Sequence, residues 1–159
     1  MKRFQSLLPV GLVLLLSVSA HAIAAYKTKM QMIDTAEVIA VVTITGTTKV
    51  SVKGRIWTYR QRALARVENI LKGNLPSRVS LFGDEDFPCA RSHFAPGRYL
   101  VFLRHDTNLW TGNNWALSAL KITKGNVEWF ANNESSFRKK DARLADVLKG
   151  IRHRIANKK

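Results

Sequence analysis

The chain has 159 residues and a formal charge of +15, with 26 Lys and Arg against 11 Asp and Glu, and it contains one cysteine. That length suits one domain with a real core, and a lone cysteine excludes an internal disulfide, so the core holds without staples. The cationic excess favours anionic partners (nucleic acid, acidic lipid head groups, lipopolysaccharide or acidic proteins) and speaks to association, not to fold.

Lys2 and Arg3 precede an apolar stretch over residues 7–20, and Ala20-His21-Ala22 supplies the small-x-small pattern of a signal-peptidase site, with Ala22-Ile23-Ala24 as a second choice. A spanning helix needs about 20 apolar residues; this stretch is shorter and holds Pro9 and Gly11. Residues 1–22 are therefore expected to be a signal peptide, and 23–159 a single exported domain, periplasmic or secreted. Cys89 lies far from the cleavage region, which closes the lipoprotein route. No later segment is long and apolar enough to cross a bilayer, so no transmembrane segment is expected after cleavage. Loss of Lys2 and Arg3 lowers the formal charge from +15 to +13.

Residues 26–34 read as a short helical turn or lead-in. Residues 36–45, dense in β-branched side chains and apolar at nearly every position, read as a strand buried on both faces. Residues 46–57 suit a long loop or an extra hairpin. From 59 to 70, alternation puts Tyr59, Gln61, Ala63, Ala65 and Val67 on one face and Arg60, Arg62, Leu64, Arg66 and Glu68 on the other. The residue types also suit a helix. The turn Lys72-Gly73-Asn74-Leu75-Pro76 and the alternating run 78–82 favour a strand in a hairpin-like unit.

Residues 83–96 read as a loop, and 97–104 (Gly-Arg-Tyr-Leu-Val-Phe-Leu-Arg) as the most strand-like run in the chain. A polar connection at 105–114 leads to a strand at 115–122, a tight turn at Lys124-Gly125-Asn126 and a returning strand at 127–130. The period then changes. Leu144, Val147, Leu148, Ile151 and Ile155 form the stripe of an amphipathic helix spanning about 135–157, capped by Asp141, Ser135 or Ser136. Lys149, Arg152, Arg154 and Lys158 sit off that stripe. Five or six strands followed by one helix predict a mainly β fold, a small antiparallel barrel with a C-terminal α-helix packed on it.

The order Ala36-Glu37-Val38, then Ile70-Leu71-Lys72-Gly73, then a strand, a loop with a cysteine, and Gly97 through Phe102 resembles a group of exported bacterial proteins. These are similar to the barrel of tissue inhibitors of metalloproteinases and netrin C-terminal modules. The resemblance runs over residues 36–130 and consists of strand and turn signatures. It implies an OB-like barrel. The animal inhibitors hold a protease zinc through an N-terminal cysteine; here Ile23-Ala24-Ala25 stands in that region, so the inhibitor function is not carried over.

The candidate binding residues interleave charge with flat rings: Arg55, Trp57, Tyr59, Arg60, Arg62, Arg66 and Trp110, with Trp115 beside them. On such a barrel, rings stack bases or sugars while arginines meet phosphates; the competing reading has the rings filling the core. The loop Asp84-Glu85-Asp86 to Cys89 and His93 holds possible zinc donors, but its spacing fits no ligand pattern. A Cys89–His93 nucleophile–base pair would also need an orienting partner and a cleft. No catalytic residue, metal or cofactor is assigned. The basic side of the last helix would also suit a membrane surface, although packing explains its stripe with less. The expected function is a monomeric, exported, non-enzymatic module binding a protein or an anionic envelope component. One alternative is an oligosaccharide or nucleic-acid binder using the Arg/Trp/Tyr surface, with export disfavouring nucleic acid. The other is a metal-dependent hydrolase centred on residues 84–93.

Overall fold

The structure, a computed structural model, describes residues 25–132 and 139–158. The expected signal peptide and the possible caps Ser135 and Ser136 lie outside the described residues.

Helix α1 (Lys29–Thr35) opens with a capping box: the Thr28 hydroxyl accepts from the Gln31 amide and the Gln31 side chain accepts from the Thr28 amide. Strands β1 (Val38–Lys53), β2 (Thr58–Lys72), β3 (Arg78–Glu85), β4 (Gly97–Asp106) and β5 (Leu109–Gly112) follow. A 3-10 turn, Trp115–Ser118, leads to β6 (Ala119–Thr123), β7 (Asn126–Phe130), β8 (Lys139–Arg143) and helix α2 (Leu144–Ala156). Strand order β1-β2-β3-β5-β4 returns to β1 through the β1–β4 pairing, which closes a ring of five strands. Every pairing in the ring is antiparallel except β3–β5, which runs parallel at Leu81–Trp110 and Phe82–Thr111. The expected OB-like ring is present, and the expected all-antiparallel pairing is corrected at that one seam.

Strand β4 is buried on both sides. Tyr99, Val101 and Leu103 face the ring interior with Val38, Ala40, Val42, Ile44, Ala63, Ala65 and Leu81. Leu100 and Phe102 face outward into a second core with Ile39 and Val41 of β1, closed over by α1, α2, β6 and β7. The continuous apolar runs of β1 and β4 follow from this, because each separates two cores. Strand β2 has only one such side, and it alternates.

Several boundaries differ from expectation. β1 continues as one arm of a long hairpin to Lys53, where a loop or separate hairpin was expected, and only residues 54–57 turn. Strand β5 lies inside the expected polar connection; its four residues are too few to show a period. The expected strand at 115–122 begins as the 3-10 turn, with Trp115 at φ 49°. β8 replaces the first part of the expected helix: Lys139-Lys140-Asp141-Ala142-Arg143 is an almost wholly exposed edge strand without an apolar face. Asp141 pairs with Glu128 in that strand and caps nothing; Arg143 is the N-cap, without a side-chain cap bond. Lys124 and Gly125, both at positive φ, form the two-residue turn between β6 and β7.

The stripe of α2 packs as expected, with Leu144, Val147 and Ile151 buried and Leu148 and Ile155 against them. Two of its off-stripe cations tie α2 to α1. Asp34 accepts from Arg154 Nη2 at 2.7 Å and Nε at 3.1 Å, and lies 2.9 Å from Lys158 Nζ. These hydrogen bonds, from Arg154 first and Lys158 second, hold the Asp34 carboxyl down at about 2. A depressed carboxyl stabilises the fold above its unfolded value of 3.8, and that contribution fades as pH falls toward about 2. Asp34→Asn is expected to lower the unfolding midpoint at neutral pH and to flatten its pH dependence between 3.8 and about 2. An unchanged acid limb in urea titrations would contradict this.

Candidate binding site on the ring

Alternation along β2 decides which candidate residues share a surface. Tyr59, Gln61, Ala63 and Ala65 point into the ring, whereas Arg60, Arg62, Leu64 and Arg66 point out and are exposed. Register with β3 sets Arg66 opposite Arg78, Leu64 opposite Ser80 and Arg62 opposite Phe82. Thr45, Leu64, Arg66, Arg78, Val79 and Ser80 line a shallow groove of about 380 Å³. Leu64 is 47% exposed within this cationic field. Directly opposed like charges destabilise a sheet, so the Arg66–Arg78 pairing weakens the strand pair that carries it. Among the described residues, Arg66 reaches one carboxylate, Glu68, at 3.8 Å, and Glu68 is already held by Thr43 and Arg98 at 2.6 and 2.8 Å. Arg60, Arg62 and Arg78 form no ion pair among the described residues. Helices α1 and α2 cover the opposite wall, built on β1 and β4, and leave this face open.

The remaining candidates lie at one end of the ring, and the structure does not bring all seven together. Tyr59 is fully buried, and its hydroxyl donates to Asp106 Oδ2 at 2.7 Å. Burial, then the hydrogen bond to Asp106, pushes its phenol far above the ordinary range. It cannot stack on a ligand. Trp57 is half-buried with its ring 4.9 Å from Phe87 and 6.3 Å from Trp115. Trp110 packs on the inner core and lies 3.5 Å from the His105 ring. Arg55 is exposed on the turn between β1 and β2, and its amide donates to Asp106 Oδ1 at 2.8 Å. No aromatic ring of the candidate set shares the outer face with Arg60, Arg62 and Arg66.

The loop from 86 to 96 folds back over this end. Phe94 is buried in the inner core, and its amide donates to Gln61 Oε1. Glu85 is also buried; it accepts from the Ser92 amide at 2.6 Å and from the Thr111 hydroxyl at 3.2 Å. Burial raises its pKa, against the pull of these hydrogen bonds. The three successive acids therefore diverge. Asp84 meets His93 outside at 3.1 Å, Glu85 turns inward, and Asp86 accepts from the Thr58 amide. Cys89 is exposed. Among the described residues, no three His, Cys, Asp or Glu side chains converge to hold a metal.

The geometry defines a five-stranded OB-like ring with an arginine-rich outer face on β2 and β3 and an aromatic, cationic rim at one end. The sequence matches no protein-family model and no curated protein.

Sequence reasoning left out Arg78 and Arg104. Arg78 joins the site through strand register, which is not legible from alternation within one strand. Arg104 closes the strand-like run and reads as a boundary charge, yet its Nε is fully buried. Nothing in the residue order shows that.

Proposed function

We propose that this chain is an exported, non-enzymatic binding module that docks a polyanionic partner, an acidic protein or an anionic envelope component, on the outer face of β2 and β3. One observation carries the reading: Arg60, Arg62, Arg66 and Arg78 project from one open sheet face around exposed Leu64, and of the four only Arg66 comes within ion-pair distance of a carboxylate among the described residues. Cations in excess of the carboxylates near them on a rigid sheet present a fixed field to an anionic surface. Tyr59 is buried and Trp57 and Trp110 lie at the rim, so Phe82 opposite Arg62 is the ring this face presents, which favours a charged surface over a run of stacked bases or sugars. The dispersal of Asp84, Glu85 and Asp86 favours binding over hydrolysis.

The test measures binding of the mature chain to phosphatidylglycerol vesicles and to immobilised polyglutamate, each at low and high salt. Binding to at least one is expected, weakened by salt as screening requires. Changing Arg60, Arg62 and Arg66 together to Glu is expected to weaken it by about a hundredfold or more, from about 1 kcal/mol per cation near an anionic surface. A Lys149→Glu, Arg152→Glu variant keeps the binding. If wild type binds neither probe, or the triple variant binds as well as wild type, the arginine face is not the docking surface.

A further inference from the structure

A second cavity, of about 210 Å³, lies at the end of the ring where the turn between β1 and β2 meets the turn between β4 and β5. Arg55, Ile56 and Trp57 line it from the turn between β1 and β2, and Arg104, His105 and Asp106 at the end of β4, with Thr107, from the other side. Three of these seven side chains are basic, and two are broad apolar surfaces. Ile56 is 60% exposed and presents an apolar surface at the cavity mouth.

The other charged groups around the cavity have direct partners, whereas Arg104 feels Glu37 only through space: against burial, its charge helps the His105 hydrogen bonds to hold the Glu37 carboxyl below its ordinary value. Asp106 is its only carboxylate, and both oxygens are occupied, Oδ1 by the Arg55 amide and Oδ2 by the Tyr59 hydroxyl. His105 is held by Glu37, whose two oxygens meet its ring Nδ1 at 2.8 Å and its amide at 3.0 Å. Neighbouring Lys27 is committed to Asn113. Arg55 and Arg104 form no ion pair among the described residues. Arg104 Nε is buried and has no acceptor at all. A buried donor of a charged group without a partner is costly, and an oxygen acceptor placed at it relieves that cost.

We infer that this cavity is a site for a small oxyanion, carboxylate or phosphate, bound at Arg104 and Arg55 with its apolar body against Ile56 and Trp57. The planar guanidinium fork matches both oxyanions bidentately. The volume equals the liquid share of roughly seven waters, enough for one such group carried on a single ring. The inference does not depend on the arginine face, which lies elsewhere on the ring and uses different residues.

Phenyl phosphate, benzoate and inorganic phosphate, each titrated calorimetrically into the full mature chain at low ionic strength, test it. Saturable binding of phenyl phosphate or benzoate is expected, tighter than that of inorganic phosphate because the ring adds contact with Ile56 and Trp57. Preference for phenyl phosphate or for benzoate assigns the head group. Arg104→Gln is expected to weaken binding by about tenfold or more, as loss of a hydrogen bond to a charged group does. Arg104→Lys, which keeps the charge and loses the fork, falls between. Circular dichroism checks that both variants fold. The Arg60, Arg62, Arg66 to Glu variant binds phenyl phosphate more weakly by at most a small factor, so failure here and failure of the polyanion face are distinguishable. Absence of saturable binding at millimolar probe, or affinity unchanged in folded Arg104→Gln, would overturn the site. Equal affinity for inorganic phosphate would overturn its apolar half.

Discussion

Replacing Phe102 with alanine is expected to destabilise the fold by about 3–5 kcal/mol, read as a lower urea midpoint at an unchanged slope. Phe102 is fully buried at the middle of β4, on the side that faces away from the ring. Its strand partner is Ile39 of β1, and it shares a core with Met32 and Ile33 of α1, Leu120 of β6 and Val147 and Ile151 of α2. It thus joins the ring to the whole helical layer. Truncation removes a large apolar side chain and leaves a void that packed neighbours from several elements cannot close together. Ile39→Val on the same wall removes one methylene and is expected to cost about 0.5–1.5 kcal/mol. A loss below about 1 kcal/mol for Phe102→Ala would mean that the helices contribute little to the stability of the ring.

That double burial of β4 is also what the sequence showed most clearly. A strand with one solvent face alternates, as Tyr59 to Arg66 does; a strand between two cores has no face to leave polar, so the first part of β1, 38–42, and 99–103 of β4 read as unbroken apolar runs. Alternation even placed Tyr59 on the opposite side of β2 from the arginines. Grouping Tyr59 with Arg60 and Arg62 as one surface ignored the period that identified the strand. β8 and β5 escaped for a different reason: β8 is a charged edge and β5 is four residues long, and both exist through their partners. The candidate site was half legible for the same cause. Residues 60, 62 and 66 are brought together by period alone, but Arg78 arrives by register and Arg104 by packing, and neither is encoded locally.

Asp106→Ala is expected to cost about 2–6 kcal/mol, because it strips two buried or half-buried donors of their acceptor at about 1–3 kcal/mol each. The donors are the fully buried Tyr59 hydroxyl and the Arg55 amide, brought to one carboxylate from β2 and from the preceding turn. The turn rests directly on that carboxylate: a side chain at Gly54 would come within 2.2 Å of Asp106 Oδ2, so Gly54→Ala strains the same contact. Asp106→Asn keeps an acceptor and the shape, and is expected to lose less than half as much. Tyr59→Phe removes only one donor, and in an Asp106→Ala background its cost shrinks, since the hydroxyl then has nothing to lose. Hydrogen exchange at the Arg55 amide locates the effect, with faster exchange in Asp106→Ala than in Tyr59→Phe. The same carboxylate fixes the rim of the small cavity, because it positions Arg55 and Trp57 opposite Arg104. Asp106→Asn should therefore retain phenyl phosphate binding while Asp106→Ala, still folded, loses it. Equal binding by both would show that the cavity does not need the turn held in place.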